Sequence, residues 1–351
     1  MKKFLLIAVA FLAGIVVVTA QNKKEVSQLR QFLQQTSARG DANYIRLRLS
    51  LNNPASWSGV VWGSDGRVTS IDWNDKELAG SIDLSGFSSL QKVSICRNKI
   101  VAVNLSGCTM LKEASLCHNN ITSLTIASCP VLSTLDCSRN RLVSLSVTGA
   151  PRLKTLNCSS NLFVEFSVAS APQIESLYIQ SCHLESLDVD SCVNLRTLYC
   201  GYNNLTDINL MGTVGLRNLN IDNNRIAKLY IQDLTSLTSL SCSDNHMTAI
   251  ALNNCSALSD LVCSYNNLTQ LSLDGCASLS YVDCSYNNLS TLDMSGFVML
   301  ERLLCDNNQL TFLDVSQCPN LVYVDCRFNQ IIDLRTAGDY NLRMVAGQWN
   351  Y

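Results

Sequence analysis

The stretch Leu132-Ser133-Thr134-Leu135-Asp136-Cys137-Ser138-Arg139-Asn140-Arg141-Leu142-Val143-Ser144-Leu145-Ser146-Val147 decides how the chain folds, because its pattern returns every 21 residues. With the first leucine at offset 0, apolar residues fall at offsets 0, 3, 5, 10, 13 and 15, asparagine at 8 and often cysteine at 18. Units start at Leu90, Leu111, Leu132, Leu153, Ile174, Leu195, Leu216, Leu237, Leu258, Leu279, Leu300 and Leu321, twelve in phase with no insertion between them. So short a unit cannot bury its own apolar face. Stacking must supply the core, and a fixed period in the twenties predicts a solenoid.

The pattern L-x-x-L-x-(L/C)-x-x-N-x-L resembles the leucine-rich repeat, and the second half, L-x-(L/V)-x-x-C, is similar to the short 21-residue bacterial class called IRREKO. The resemblance covers about residues 68–334. It implies a curved right-handed stack of short parallel strands, mostly β with a helical N-terminal cap, and a role in binding other macromolecules. Residues 68–87 read as a first, 22-residue unit, with Val68, Ile71, Trp73 and Leu78 on the usual offsets and one extra residue before Ile82 and Leu84. Counted with it there are about thirteen units, and at about 4.8 Å each the stack is roughly 60 Å long. Offsets 3 to 5 are expected to form the strand of each unit.

Offset 8 is asparagine in eleven of the twelve regular units: Asn98, Asn119, Asn140, Asn161, Asn203, Asn224, Asn245, Asn266, Asn287, Asn308 and Asn329. A turn inside a stack strands backbone N–H and C=O groups, and a carboxamide donates and accepts at once. The exception is Cys182, where a local break in this ladder and a softer spot are expected.

Seventeen cysteines would ordinarily suggest a disulfide framework in an exported protein. Their register argues for packed thiols. Eight sit at offset 5 (Cys137, Cys158, Cys200, Cys242, Cys263, Cys284, Cys305, Cys326) and six at offset 18 (Cys108, Cys129, Cys192, Cys255, Cys276, Cys318), positions filled elsewhere by apolar side chains. Cys96 and Cys117 differ. They share offset 6, expected to be exposed, in adjacent units, and are the one candidate disulfide; the sequence leaves it open against two separate thiols.

Residues 1–20 read as an export signal: Lys2 and Lys3, an apolar run from Phe4 to Val18, then Val18-Thr19-Ala20 as a small-residue cleavage site. The mature chain is expected to start at Gln21, secreted, periplasmic or at the cell surface, and to have no membrane span. Removing Lys2 and Lys3 lowers Lys+Arg from 26 to 24 against 28 Asp+Glu, so the formal charge goes from −2 to −4. A mildly acidic surface offers nucleic acid no electrostatic footprint. Asn-x-Ser/Thr triplets such as Asn204-Leu205-Thr206 read as accidents of the repeat rather than glycan sites.

Residues 21–67 form the N-terminal cap. Val26, Leu29, Phe32 and Leu33 lie on one helical stripe within residues 23–38, which Arg39-Gly40-Asp41 is expected to end. The run Trp57-Ser58-Gly59-Val60-Val61-Trp62 is similar to the plant-type repeat cap C-x-W-x-G-V-x-C, with Ala55 and Trp62 in place of its two cysteines. The cap disulfide that resemblance would imply is therefore absent, and Trp57 and Trp62 are expected to seal the core. Past Leu334 polar Thr336 and Asp339 occupy apolar offsets, so residues 335–351 are expected to fold over the C-terminal end as a tail.

Catalytic constellations are missing from the sequence. There is no G-x-S-x-G, no P-loop and no H-E-x-x-H. His118, His183 and His246 lie at least three units apart, roughly 14 Å at the strand spacing, which gives them no shared metal. Cys182-His183 lacks the paired C-x-x-C of a zinc or redox motif. No cofactor is implied.

Offsets 2, 4, 6 and 7 flank the strand and are expected to project from the concave side, and there composition stops being periodic. Tyr178, Tyr199 and Tyr202 form one block; Tyr265, Tyr281, Tyr286, Tyr323 and Phe328 form a second, interleaved with Asp260, Asp283, Arg302, Asp306, Asp325 and Arg327. Tyrosine and arginine are the usual interface anchors. Aromatics also favour strands and stack across neighbours for packing alone. The expectation is a non-enzymatic exported binding protein whose concave face recognises another macromolecule, in first place a protein. A glycan ligand, or self-association as a structural or adhesive module, is the alternative.

Overall fold

The computed structural model describes residues 20–190, 192–336, 344–346 and 350, the last strand by its backbone only. The expected export signal, apart from Ala20, lies outside the described residues. A sheet of 15 strands runs the length of the stack. It starts with an antiparallel pair, Val60–Trp62 against Val68–Asp72, and each unit then adds one parallel strand. The register advances by one unit per strand: Thr134, Leu135 and Asp136 face Thr155, Leu156 and Asn157.

Strands occupy offsets 2 to 4, one residue earlier than expected, and the asparagines explain why. The Cys137 N–H still donates to the Asn157 carbonyl of the next unit (2.8 Å). The Cys137 carbonyl, however, accepts from the side chains of Asn140 (2.9 Å) and Asn161 (3.1 Å) rather than from a strand N–H. Pairing must therefore end at offset 4.

That arrangement repeats. Each ladder carboxamide donates Nδ2 to the offset-5 carbonyl of its own and of the preceding unit, and its Oδ1 accepts the offset-10 N–H of the preceding unit. For Asn140 the partners are Cys137 O, Leu116 O (3.1 Å) and Ile121 N (3.0 Å).

Cys182 breaks the column as its side chain dictates. The thiol donates to Cys158 O (3.4 Å), replacing one amide contact, but has no carboxamide oxygen. The Phe163 N–H, which an asparagine here would accept, finds no acceptor among the described residues. His183 adopts φ 66°, a left-handed backbone that no other of the twelve regular units uses at offset 9. Replacing Cys182 with asparagine should restore the missing acceptor and raise stability by about 1–2 kcal/mol, the worth of one buried polar group satisfied. Urea unfolding checks it; a lower midpoint would mean that the site cannot hold the amide.

The opposite side carries strands that the sequence reading did not anticipate. They lie at offsets 12 to 14, as in Ser123–Thr125 and Gln270–Ser272, in sheets of three, two, three and two strands. Apolar residues at offsets 13 and 15 with polar neighbours are a two-residue period, the strand signature. The units starting at Leu132, Leu195 and Leu279 interrupt this layer. Between the two layers the leucines at offsets 0, 3 and 10 are buried throughout.

The cysteines at offsets 5 and 18 are buried, and no disulfide is present among the described residues. Burial pushes the Cys200 and Cys108 thiols up to about 12 and that of Cys192 to about 11. Cys96 and Cys117, the candidate disulfide, are two separate thiols, half-buried rather than exposed. Offset 6 is where the chain folds under the residue that follows it.

At the N-terminus the helix Lys23–Leu33 starts on Asn22, whose Oδ1 accepts from Lys24 N and Glu25 N (3.1 Å each), and buries Leu29, Phe32 and Leu33. It ends five residues before Ala38. Ser37 and Asp41 form their own turn, with the Ser37 N–H donating to Asp41 O (2.6 Å), which competes with further helix. Arg39 pairs with Glu77 and Asp41 with Arg46, so both charges of the triplet are engaged within the cap.

Side chains of this cap satisfy the first strands. Glu25 accepts the Val68 N–H (2.7 Å), Gln35 exchanges two hydrogen bonds with Ser81, and Asn43 does the same with Ala79. Side-chain carboxyl and amide groups thus replace a missing neighbour strand. Trp57 packs against Trp62 (6.4 Å) and Trp73 against Phe32 (6.0 Å), sealing the core. Gly59 holds φ 81° with Asp72 O and the Trp73 ring where a Cβ would sit, so only glycine fits.

At the other end the register resumes. Met344–Ala346 pairs in parallel with Tyr323–Asp325, and Asn350, 21 residues after Asn329, accepts from Ile331 N (3.1 Å) and donates to Cys326 O (3.3 Å). Thr336 falls in the outer half of a unit and Asp339 lies outside the described residues; the strand and the asparagine continue. Residues 344–346 and 350 thus keep the register of the stack, and the rest of the expected tail from residue 337 on lies outside the described residues.

Candidate functional site

The long-sheet face presents four rows of side chains, at offsets 2, 4, 6 and 7. Rows 2 and 4 flank the inward offset-3 residue and are half-buried or exposed except at Asp325, which is buried. Row 6 largely folds inward: Ser138, Ser243, Ser264 and Ser285 are buried, contrary to the expected projection. Row 7 is left-handed in every regular unit, from Arg97 (φ 58°) to Phe328 (φ 53°), and exposed in all but Ser160, Asn223 and Asn307, which are half-buried.

Row 7 tells most. A left-handed backbone favours Gly, Asn and Asp, and Asn223, Asp244 and Asn307 comply. Tyr202, Tyr265, Tyr286 and Phe328 do not; an aromatic there is disfavoured locally, and all four rings stay exposed. Neither backbone preference nor core packing accounts for these four side chains.

The structure joins the C-terminal block into two contacting sets. Tyr265 and Tyr286 stack face to face, 4.3 Å apart and 9° from parallel, at 52% and 44% exposure. Beside them Arg302 lies against Tyr281 (6.0 Å) and Tyr323 (5.1 Å), a cation between two rings. Burial pushes the Tyr281 phenol above its ordinary range, and Asp283 and Asp260 add in the same sense against Arg302. Burial likewise raises the Asp306 carboxyl, helped by Asp325 and Asp283.

Two expected site carboxylates are engaged internally. Asp325 is 4% exposed and forked onto Arg327 (2.9 and 2.6 Å), which removes it from the surface. Asp283 accepts from the N–H (3.0 Å) and hydroxyl (2.6 Å) of Ser285, capping its own turn. In the other block Tyr178 and Tyr199 meet edge to face (5.5 Å), both half-buried, while Tyr202 stands clear at 62% exposure. Sequence reasoning missed a hollow of about 360 Å³ on the outer side, bordered by Leu292, Asp293, Met294, Phe312, Asp314 and Gln317. It lies where the unit starting at Leu279 interrupts the outer strands, an interruption without a signal in the repeat pattern. Among the described residues no three His, Cys, Asp or Glu side chains converge to hold a metal ion.

No protein-family model matches the chain, and no curated protein matches it in sequence. Solved structures do. The functional domain of InlJ from Listeria monocytogenes, which includes a cysteine ladder, is 26% identical over 72% of this chain, with a TM-score of 0.51. The chain spans 63% of the length of that domain. YopM from Yersinia enterocolitica is 24% identical over 77% of this chain and 59% of its own, with a TM-score of 0.62. A leucine-rich repeat protein of Leptospira interrogans is 19% identical over 79% of this chain and 86% of its own, with a TM-score of 0.54. The fold is a leucine-rich repeat solenoid. Its long parallel sheet is the leucine-rich repeat face on which the aromatic block stands, and no helix among the described residues is long and apolar enough to cross a membrane.

Proposed function

We propose that this chain is a non-enzymatic, exported recognition module that binds a partner protein through the C-terminal block of its concave face. The observation that carries the reading is the exposed Tyr265–Tyr286 stack at two left-handed positions. Large rigid rings with hydroxyl tips bind at low entropic cost, and arginine held between aromatics is the other common anchor. Export rests on Lys2, Lys3 and the apolar run that follows them.

The test is a pull-down from cell-surface extracts with the full chain and with a Tyr265→Ala, Tyr281→Ala, Tyr286→Ala, Tyr323→Ala variant of verified fold. A captured partner should bind the variant at least about 100-fold more weakly, the loss expected from removing hot-spot aromatics. A partner held equally by both proteins would contradict this site. Capture of sugars on a glycan array, with no protein partner, would favour the glycan alternative.

A further inference from the structure

We propose that Cys96 and Cys117 form a thiol-oxidation site, a pair on neighbouring strands that closes to a disulfide when a small-molecule disulfide reaches it. The inference is independent of the recognition reading and rests on the N-terminal part of the sheet.

Access separates these two residues from the rest. The other fifteen cysteines are buried, and these two are half-buried. Position does the same. Lys92–Ser94 and Glu113–Ser115 pair residue for residue, so offset 6 of one unit stands beside offset 6 of the next. The strand spacing of about 4.8 Å falls inside the Cα separation that a disulfide spans. Both backbones are pinned: the Cys96 N–H donates to Asn74 Oδ1 (2.6 Å), and the Cys96 and Cys117 carbonyls accept from Asn98 and Asn119 (3.2 Å each).

The two sulfurs are not equivalent. The Cys117 N–H donates to Cys96 Sγ at 3.1 Å. Donors aimed at one sulfur favour its thiolate. The Cys117 thiol accordingly holds Cys96 below the ordinary thiol range, against the opposing effect of burial, while the Cys96 sulfur and burial push Cys117 up. Cys96 is the nucleophile and Cys117 the resolving thiol.

The chemistry balances with an added disulfide as oxidant. The Cys96 thiolate attacks one sulfur of the reagent, forming a mixed disulfide and expelling one thiolate. With Cys96 no longer anionic, Cys117 gives its proton to solvent and attacks Cys96 Sγ, which expels the second reagent thiolate. Two protein thiols are oxidised, one reagent disulfide is reduced, and two electrons and two protons leave the protein.

The buried pair Cys255 and Cys276 provides the internal comparison. Cys255 is likewise lowered by Cys276 and Cys276 raised by Cys255, but both are enclosed. Access, rather than thiol pairing alone, must set which pair reacts.

The native full chain is treated with an aromatic disulfide that releases a coloured thiolate, and the product is weighed and mapped. Two reporter thiolates per chain are expected, about 100-fold faster than any from the remaining cysteines. The product should lose the mass of two hydrogens, carry no adduct, and link Cys96 to Cys117. Cys117→Ser should keep a stable adduct on Cys96, whereas Cys96→Ser should react slowly. A persistent adduct on the native chain, earlier reaction at Cys255 and Cys276, or no reaction before unfolding would each overturn the proposal.

Discussion

Replacing Asn245 with alanine should destabilise the solenoid by about 3 kcal/mol, because it orphans a buried backbone group and leaves a void the size of an amide. Asn245 donates to Ile221 O (3.0 Å), Cys242 O (3.3 Å) and Ser243 O (3.1 Å), and accepts from Ile226 N (3.0 Å). The losses are unequal. Ile221 O keeps the Asn224 side chain, Cys242 O keeps that of Asn266, and Ser243 O keeps the Asn223 N–H. Only the Ile226 N–H is left with nothing. The predicted cost therefore lies well below a sum over four hydrogen bonds, and it exceeds the single orphan that Cys182 already tolerates at Phe163. Chemical unfolding of Asn245→Ala against the parent measures it; a change below about 1 kcal/mol would show that water enters the column and satisfies that amide.

Trp73→Ala should cost about 3–5 kcal/mol, the range for removing a large buried aromatic. Trp73 is 1% exposed, occupies offset 5 of the first unit, stacks on Phe32 of the cap helix, and donates from Nε1 to Ser58 O (2.9 Å). One ring therefore holds the helix, the edge strand and the first unit together. In a stack of nearest-neighbour contacts, loss of a terminal cap exposes the next unit rather than loosening the whole. Hydrogen exchange should accordingly quicken at Val68–Asp72 and Ala79–Asp83 and remain slow at Ser239–Ser241. Trp73→Phe keeps the ring contact and loses the N–H, so it should cost about 1 kcal/mol. Uniform faster exchange along the stack in Trp73→Ala would refute the local role of the cap.

The inner half of each unit was legible because every position there answers one demand. Leucine at offset 3 faces the core, and asparagine at offset 8 must donate and accept within a turn. The outer half was less legible: a two-residue alternation over offsets 13 and 15 is too short to stand out, and it decides strand or loop by small margins. Thr336 and Asp339 read as the end of the repeat, yet Thr336 lies in that outer half, and the strand Met344–Ala346 and Asn350 remain in register. At the candidate site, the pattern located the aromatic rows but not their state. Asp325 and Tyr202 are both polar positions near a strand; the first is buried on Arg327 and the second is exposed, because burial there depends on which neighbour supplies a partner.

The asparagine column also acts as a ruler on gene length. Each carboxamide must meet carbonyls in two successive units, so a single codon gained or lost between offsets 3 and 10 would displace every contact of that rung. The outer half carries no such bookkeeping. The extra residue of the first unit falls there, before Ile82, and a register shift between Gly80 and Ser81 accompanies it. An added or lost residue is therefore expected to be tolerated in the outer half of a unit and to be disruptive between offsets 3 and 10.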